Sequence, residues 1–224
     1  MDRKNDPIFL NIFLLVGILI LAYGCVQNNS SPERLEEVQI NEYEGEDLSS
    51  IDDFRENSIK GPQYINESSY NLKVSGLVEN PEEYSYMEVV DGFQRYEKVV
   101  RLDCVEGWSV NILWEGVLVR DIISQAKPKE DASIVIFHAQ DGYTTSFPIE
   151  YFYDNDIIMA YRMNNVSLPP ERGYPFQLVA ESKWGYKWIK WITEVEFSDD
   201  EAYQGYWERR GYADEGNLNE SFID

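Results

Sequence analysis

Between residues 70 and 200 the chain consists of short runs of β-branched and aromatic residues. Each is stopped by glycine, proline, asparagine or aspartate, which leaves room for few helices. The first run is Tyr70-Asn71-Leu72-Lys73-Val74-Ser75, closed by Gly76. Lys98-Val99-Val100-Arg101-Leu102-Asp103 is a second strand signal, with Cys104 at its end. Residues 133–138 and 143–149 flank Asp141-Gly142, a strong hairpin signal, and residues 157–163 and 176–180 follow as further strands. Ile189, Trp191, Thr193, Val195 and Phe197 then lie on one side of a period-two run, with Lys190, Glu194 and Glu196 opposite. Helical signals are confined to residues 87–91, entered through Asn80-Pro81-Glu82-Glu83, and residues 118–126. The second is entered by an expected turn at Trp114-Glu115-Gly116-Val117 and stopped by Lys127-Pro128. The fold class is α+β, mixed and strand-rich.

The amino terminus places this domain. Arg3 and Lys4 precede an almost wholly apolar stretch over residues 8–24 that ends at Cys25, the layout of an export signal. At about 17 residues the stretch sits at the lower edge of what spans a bilayer. Leu21-Ala22-Tyr23-Gly24-Cys25 resembles a lipobox, in which the cysteine is lipidated. A lipid at Cys25, a retained transmembrane segment and a released chain all remain open, and all put the domain outside the cytoplasm. Residues 26–54 are polar and acidic and read as a tether. Residues 55–200 form one domain, because about 200 residues beyond the signal support one substantial core. Residues 201–224 are an acidic extension whose Tyr203, Tyr206, Trp207 and Tyr212 are expected to pack across that domain.

A formal charge of −22 makes nucleic acid and anionic lipid surfaces poor partners. Only Cys25 and Cys104 exist, so once Cys25 belongs to the signal or anchor no intrachain disulfide is available to the domain. Cys104 is then an inert buried thiol or a sulfur put to use. A single histidine, His138, counts against a protein zinc site or a Ser-His-Asp hydrolase, and no covalent haem or iron–sulfur motif occurs. Residues 172–190 reverse the charge of the chain. Arg172, Lys183, Lys187 and Lys190 stand against the single acid Glu181, four against one, for a local +3. Interleaved with Gly173, Gly185, Tyr186 and Trp188, these cations suit a planar ring system bearing a phosphate, or else a solvated face of snorkelling lysines.

Three motifs carry a resemblance. Leu102-Asp103-Cys104-Val105-Glu106-Gly107-Trp108-Ser109, Leu168-Pro169-Pro170-Glu171-Arg172-Gly173-Tyr174-Pro175-Phe176 and Lys183-Trp184-Gly185-Tyr186-Lys187-Trp188-Ile189-Lys190 together resemble the molybdopterin domain of the sulfite oxidase family. The nearest look is to its haem-free bacterial branch, which includes the periplasmic methionine-sulfoxide reductase catalytic subunits. The resemblance implies a sulfite oxidase-type fold around one molybdenum ion, bound by the dithiolene of a single pyranopterin and by Cys104. A soft thiolate suits a sulfur-rich site. It further implies that Arg172 and Gln177 contact the pterin and its phosphate, that Trp188, Ile189 and Lys190 add phosphate contacts, and that Lys183 and Lys187 compensate for glutamine where relatives carry arginine. Asn57 matches an upstream cofactor contact, and Ala139 stands where relatives have a threonine contact and can offer only its backbone. His138 and Tyr143 are candidates for hydrogen bonding to substrate.

The departures bear on substrate. Sulfite oxidases follow the metal cysteine with an arginine-containing stretch, and here Val105-Glu106-Gly107-Trp108 follows, favouring a neutral or cationic molecule. The expected activity is oxygen-atom transfer on a small substrate, an S-oxide foremost. Electrons would come from a separate partner, with a membrane haem protein as the family-style choice. The classical β-sandwich dimerisation domain is not in this sequence, so a monomer is expected. Two alternatives stand beside this: sulfite oxidation on the same fold, and a metal-free surface-binding lipoprotein.

Overall fold

The alternation of strand and turn signals resolves into two five-stranded sheets and a small hairpin in a computed structural model that describes residues 37–223. The signal or anchor over residues 1–25, lipidation at Cys25 and the first part of the tether lie outside the described residues. In chain order the strands are β1 (Glu42–Tyr43), β2 (Glu46–Asp47), β3 (Asn71–Gly76), β4 (Glu82–Ser85), β5 (Arg95–Asp103) and β6 (Ser109–Leu118). They continue with β7 (Ile134–Ala139), β8 (Thr144–Pro148), β9 (Ile158–Met163), β10 (Val166–Ser167), β11 (Gln177–Val179) and β12 (Ile192–Ser198). Three α-helices interrupt them, α1 (Tyr86–Gly92), α2 (Val119–Ala126) and α3 (Ile149–Asp154). One sheet runs β10-β9-β6-β5, with β11 also pairing β9; the other runs β4-β3-β12-β7-β8. Only β12 and β3 pair in parallel among the described strands. A single apolar core draws on both sheets and on α2, with Trp114, Phe137, Phe152, Phe176 and Phe197 fully buried. Burying each such side chain contributes roughly 1.5–3 kcal/mol.

Several expectations hold to within a residue or two. The Asp141-Gly142 hairpin forms between β7 and β8, with Gly142 in the left-handed region at φ +88°. Helix α1 starts on a capping box in which Ser85 and Glu88 each accept from the other's backbone N–H. Helix α2 ends at Lys127, whose N–H donates to Ile123 O.

Others are corrected. Trp114-Glu115-Gly116-Val117 is no turn but part of the second half of the ten-residue strand β6. Gly116 is required there by a close approach of backbones: a Cβ would lie 2.2 Å from Met159 O, and the β6–β9 register shifts at this point. Residues 82–85 pair with β3 as strand β4. The period-two run does not begin at Ile189, because Trp191 has φ +57° and β12 starts at Ile192. Residues 37–54 differ most from a free tether. Glu37 pairs with Arg162 at 2.6 Å, the Ser49 N–H donates to Asn111 O, and Leu48 and Phe54 are buried. A few apolar residues and two cationic partners, Arg162 and Arg172, suffice to lay this acidic stretch onto the domain.

Candidate functional site

Cys104 sits at the tip of the longest hairpin. Asp103 pairs with Ser109, so residues 104–108 form the connection between β5 and β6. The Cys104 N–H donates to Trp108 O at 2.9 Å, and the Gly107 N–H donates to Cys104 O at 3.0 Å. The turn needs Gly107 at φ +86°, a conformation glycine adopts without steric cost. Opposite, the chain at Gly185 passes so close that a Cβ would lie 3.2 Å from Asp103 O and 3.5 Å from Cys104 Cα. The hairpin tip and this second strand of chain border a cavity of about 320 Å³, and Cys104 lies in its wall. The Asn57 side-chain amide nitrogen is 3.8 Å from the Cys104 sulfur and donates to it. Burial pushes the thiol up, against the opposing Glu106 backbone N–H and Asn57 amide.

A second part of the same cavity is cationic. Arg172, Gln177, Trp188, Ile189 and Lys190 all line it. The Arg172 guanidinium donates from Nε to Ile51 O at 3.0 Å and from Nη2 to Phe54 O at 2.6 Å, and it stacks on the Phe54 ring at 4.0 Å. Two of its five N–H donors are thus committed to the segment expected to be a tether. Lys190 bonds Glu56 at 2.8 Å and Glu171 O at 3.2 Å, and burial lowers its pKa against the pull of Glu56. Gln177 Oε1 is buried and has no hydrogen-bond partner among the described residues. An unpaired buried acceptor costs about 1–3 kcal/mol, and an N–H donor on a bound ring would relieve it. With two cations, this orphaned acceptor and a soft thiol in one cavity of cofactor size, the residues fit a sulfur-bearing pterin phosphate.

The structure does not bring every predicted residue here. Lys183 bonds Asn217 Oδ1 at 2.7 Å, and Lys187 donates to Glu208 Oε1, Ser146 O and Asp214 O, so both serve the carboxy-terminal segment instead of lining the cavity. His138 lies apart, its Nε2 2.8 Å from Glu196 Oε2 across paired strands. The Ala139 N–H is used on Tyr143 O within the hairpin turn, and Ala139 is not part of the lining. Tyr143 does line the cavity, with its hydroxyl donated to Tyr186 O; burial pushes that hydroxyl well above its ordinary range. Sequence reasoning missed Arg55, Asp141 and Glu171, which also line the cavity. Of these, Glu171 sits beside Arg172 in the second motif and was the one with a readable signal. Trp207 and Tyr212 complete the wall, and they place the aromatic extension at the site.

This geometry defines a molybdopterin-type oxidoreductase domain. A family model described as oxidoreductase molybdopterin binding domain matches residues 59–207, and the chain belongs to that family as a molybdenum-dependent oxidoreductase. An uncharacterised oxidoreductase of Bacillus subtilis, YuiH, is 39% identical over 152 residues, covering 67% of this chain and 76% of that protein. The protein-methionine-sulfoxide reductase catalytic subunit MsrP of Xanthomonas campestris is 30% identical over 173 residues, covering 68% of this chain and 54% of its own length. This chain therefore spans about half of that relative. Among solved structures, the sulfane dehydrogenase SoxCD of Paracoccus pantotrophus matches with a TM-score of 0.61 at 22% identity, over 67% of this chain and 42% of that one, which shows the shared fold.

Proposed function

We propose that this protein is a membrane-tethered, extracytoplasmic reductase of small organic S-oxides. The observation that carries the reading is Cys104, a thiol in the wall of a cavity that also holds Arg172, Lys190 and the orphaned Gln177 acceptor. Cys104 would hold the molybdenum of a one-pyranopterin cofactor as the protein's thiolate. Arg172, Gln177 and Lys190 hold the pterin and its phosphate, and Asn57 steadies the Cys104 sulfur. When bound, the cofactor supplies two-electron oxygen-atom transfer. In the net reaction one S-oxide takes up two electrons and two protons; its sulfur–oxygen bond breaks, leaving a thioether, and the oxygen departs as water. The electrons come from a separate partner, for which a membrane haem protein is the reading, and the protons come from solvent. The protein works as a single chain. Glu106, held by the Trp108 indole N–H at 3.2 Å, keeps an acid at the Cys104 loop and disfavours an anionic substrate.

A second reading rests on Arg55. This exposed cation lines the cavity and acts electrostatically on Cys104, so it could receive sulfite. One experiment separates the two. Holoenzyme prepared in a host that makes the pterin is assayed for sulfoxide reduction and for sulfite oxidation with artificial electron carriers. Sulfoxide turnover together with stoichiometric molybdenum that is lost in Cys104→Ser is the expected result. Turnover of sulfite alone would overturn the preference, and a metal-free protein would leave only the binding-lipoprotein alternative.

A further inference from the structure

Two lysines of the cationic segment hold the carboxy-terminal chain in place. Lys187 is fully buried and directs its ammonium at three acceptors: Glu208 Oε1 at 2.8 Å, Ser146 O at 2.8 Å and Asp214 O at 2.9 Å. Glu208 is buried too and also accepts from Thr145 Oγ1 at 2.7 Å. Backbone bonds run beside this pair, from Trp184 N–H to Gly216 O and from Leu218 N–H to Ser182 O. The Tyr186 hydroxyl donates to Ala213 O at 2.6 Å. Glycine is needed at Gly205 and Gly216, where a Cβ would lie 2.4 Å from Thr144 O and 2.7 Å from Lys187 Cγ. Residues 205–218 are therefore laced to residues 182–187, the same stretch in which Gly185 abuts Cys104.

What this segment presents to the cavity is aromatic. Trp207 and Tyr212 line it, their ring centroids 5.0 Å apart, and Tyr212 meets Tyr186 edge-on at 5.0 Å. The family match ends at residue 207, so Tyr212 and the acceptor on Asp214 lie beyond it. We propose that residues 205–218 form the substrate-selecting wall of the cavity. Trp207 and Tyr212 are its specificity-determining residues and pack on the apolar body of an organic S-oxide beside Cys104. Lys187 and Glu208 are positioning residues that fix the wall. Ring faces supply contact area without formal charge, so this wall favours substrates with alkyl or aryl groups over inorganic anions. The substrate part rests on the S-oxide reading; the wall itself does not.

The test compares wild type, Trp207→Ala, Tyr212→Ala and Glu208→Gln as holoenzymes on dimethyl sulfoxide, methionine sulfoxide and methyl phenyl sulfoxide. The aromatic variants should raise KM for the two larger substrates roughly tenfold, change kcat less than about twofold and affect dimethyl sulfoxide least. Glu208→Gln should shift KM in the same substrate order. Equal loss of kcat on all three, or no change in KM, would overturn the specificity roles. A second arm uses the full-length chain made without cofactor and follows alkylation of Cys104 by iodoacetamide and by a bulky maleimide. Trp207→Ala should speed the bulky reagent several-fold more than the small one, and identical rates would overturn the wall. If wild type reduces no S-oxide, the proposed function and the substrate class fall together, while the alkylation arm still decides whether this segment walls the cavity.

Discussion

Lys187 and Glu208 form a 2.8 Å ion pair in which the side chains are 1% and 0% exposed, the most deeply buried charge pair among the described residues. Burial lowers the Lys187 pKa, opposed by the Glu208 carboxylate. Such a pair is costly to break and cheap to replace whole. Glu208→Ala leaves the ammonium with two carbonyls and no directly bonded carboxylate, Asp214 and Glu215 acting only through space, and should cost about 3–5 kcal/mol. The double variant Lys187→Met with Glu208→Leu should recover most of that loss. Urea unfolding of the three proteins decides it, and a Glu208→Ala loss below about 1 kcal/mol would contradict the buried pairing.

Gly116 gives a second prediction. Any side chain there meets Met159 O and Ala160 Cα, so strands β6 and β9 must separate. Gly116→Ala should destabilise by at least about 2 kcal/mol, more than an overpacked but yielding core site, because the obstacle is backbone. Gly45 has open space around it and serves only as a contrast in packing, since its φ of +87° strains any replacement by itself. Thermal unfolding of Gly116→Ala is the measurement, and an unchanged Tm would show that the strands can part freely.

The pH dependence follows from Glu194, which accepts from Lys73 Nζ and Ser75 Oγ, both at 2.6 Å, across the parallel β3–β12 pair. Burial raises its pKa, but the Lys73 and Ser75 bonds outweigh it and hold the carboxyl below its ordinary 4.5. A depressed folded pKa means that the stabilisation is present above 4.5 and is lost as pH falls through the folded value. The Lys73 side chain is half exposed, so screening keeps the contribution below about 1 kcal/mol. Glu194→Gln should be slightly less stable than wild type at pH 7, and the two urea midpoints should converge as the pH falls below 4.5 and through the folded value. A gap that widens on acidification would reverse the assigned sign.

Much of the site was legible because local rules placed it. Cys104 follows a β-branched run and does sit at a strand end; Arg172 and Lys190 come from the motifs that carry the family resemblance, Gln177 directly follows one of them, and all three line the cavity. Lys183 and Lys187 were misplaced for a physical reason: a sequence displays a charge but not the partner that neutralises it. Their partners, Asn217, Glu215 and Glu208, lie 21 to 34 residues away. Gly116 misled in the same way, since glycine marks both turns and close backbone contacts, and only the position of Met159 tells them apart. The acidic residues 37–54 lacked the apolar content of a core segment, yet Leu48 and Phe54 were enough once Arg162 and Arg172 supplied partners.

Arg172 carries the last prediction, because it joins the cationic part of the cavity to the Cys104 loop. Its fork spans Ile51 O and Phe54 O, its face covers the Phe54 ring, and Phe54 in turn packs 6.0 Å from Trp108. Lysine keeps the charge but cannot reach both carbonyls from a planar fork while stacking on the ring. Arg172→Lys should therefore loosen residues 51–54 and weaken cofactor retention together. The expected outcomes are faster proteolysis near Phe54 in the full-length chain and a molybdenum content reduced by more than half after gel filtration. Losing hydrogen bonds to a charged donor costs about 1.5–3 kcal/mol, enough to lower affinity roughly tenfold or more. Normal metal content with rapid cleavage near Phe54 would assign Arg172 to the scaffold alone, and normal values of both would remove it from the site.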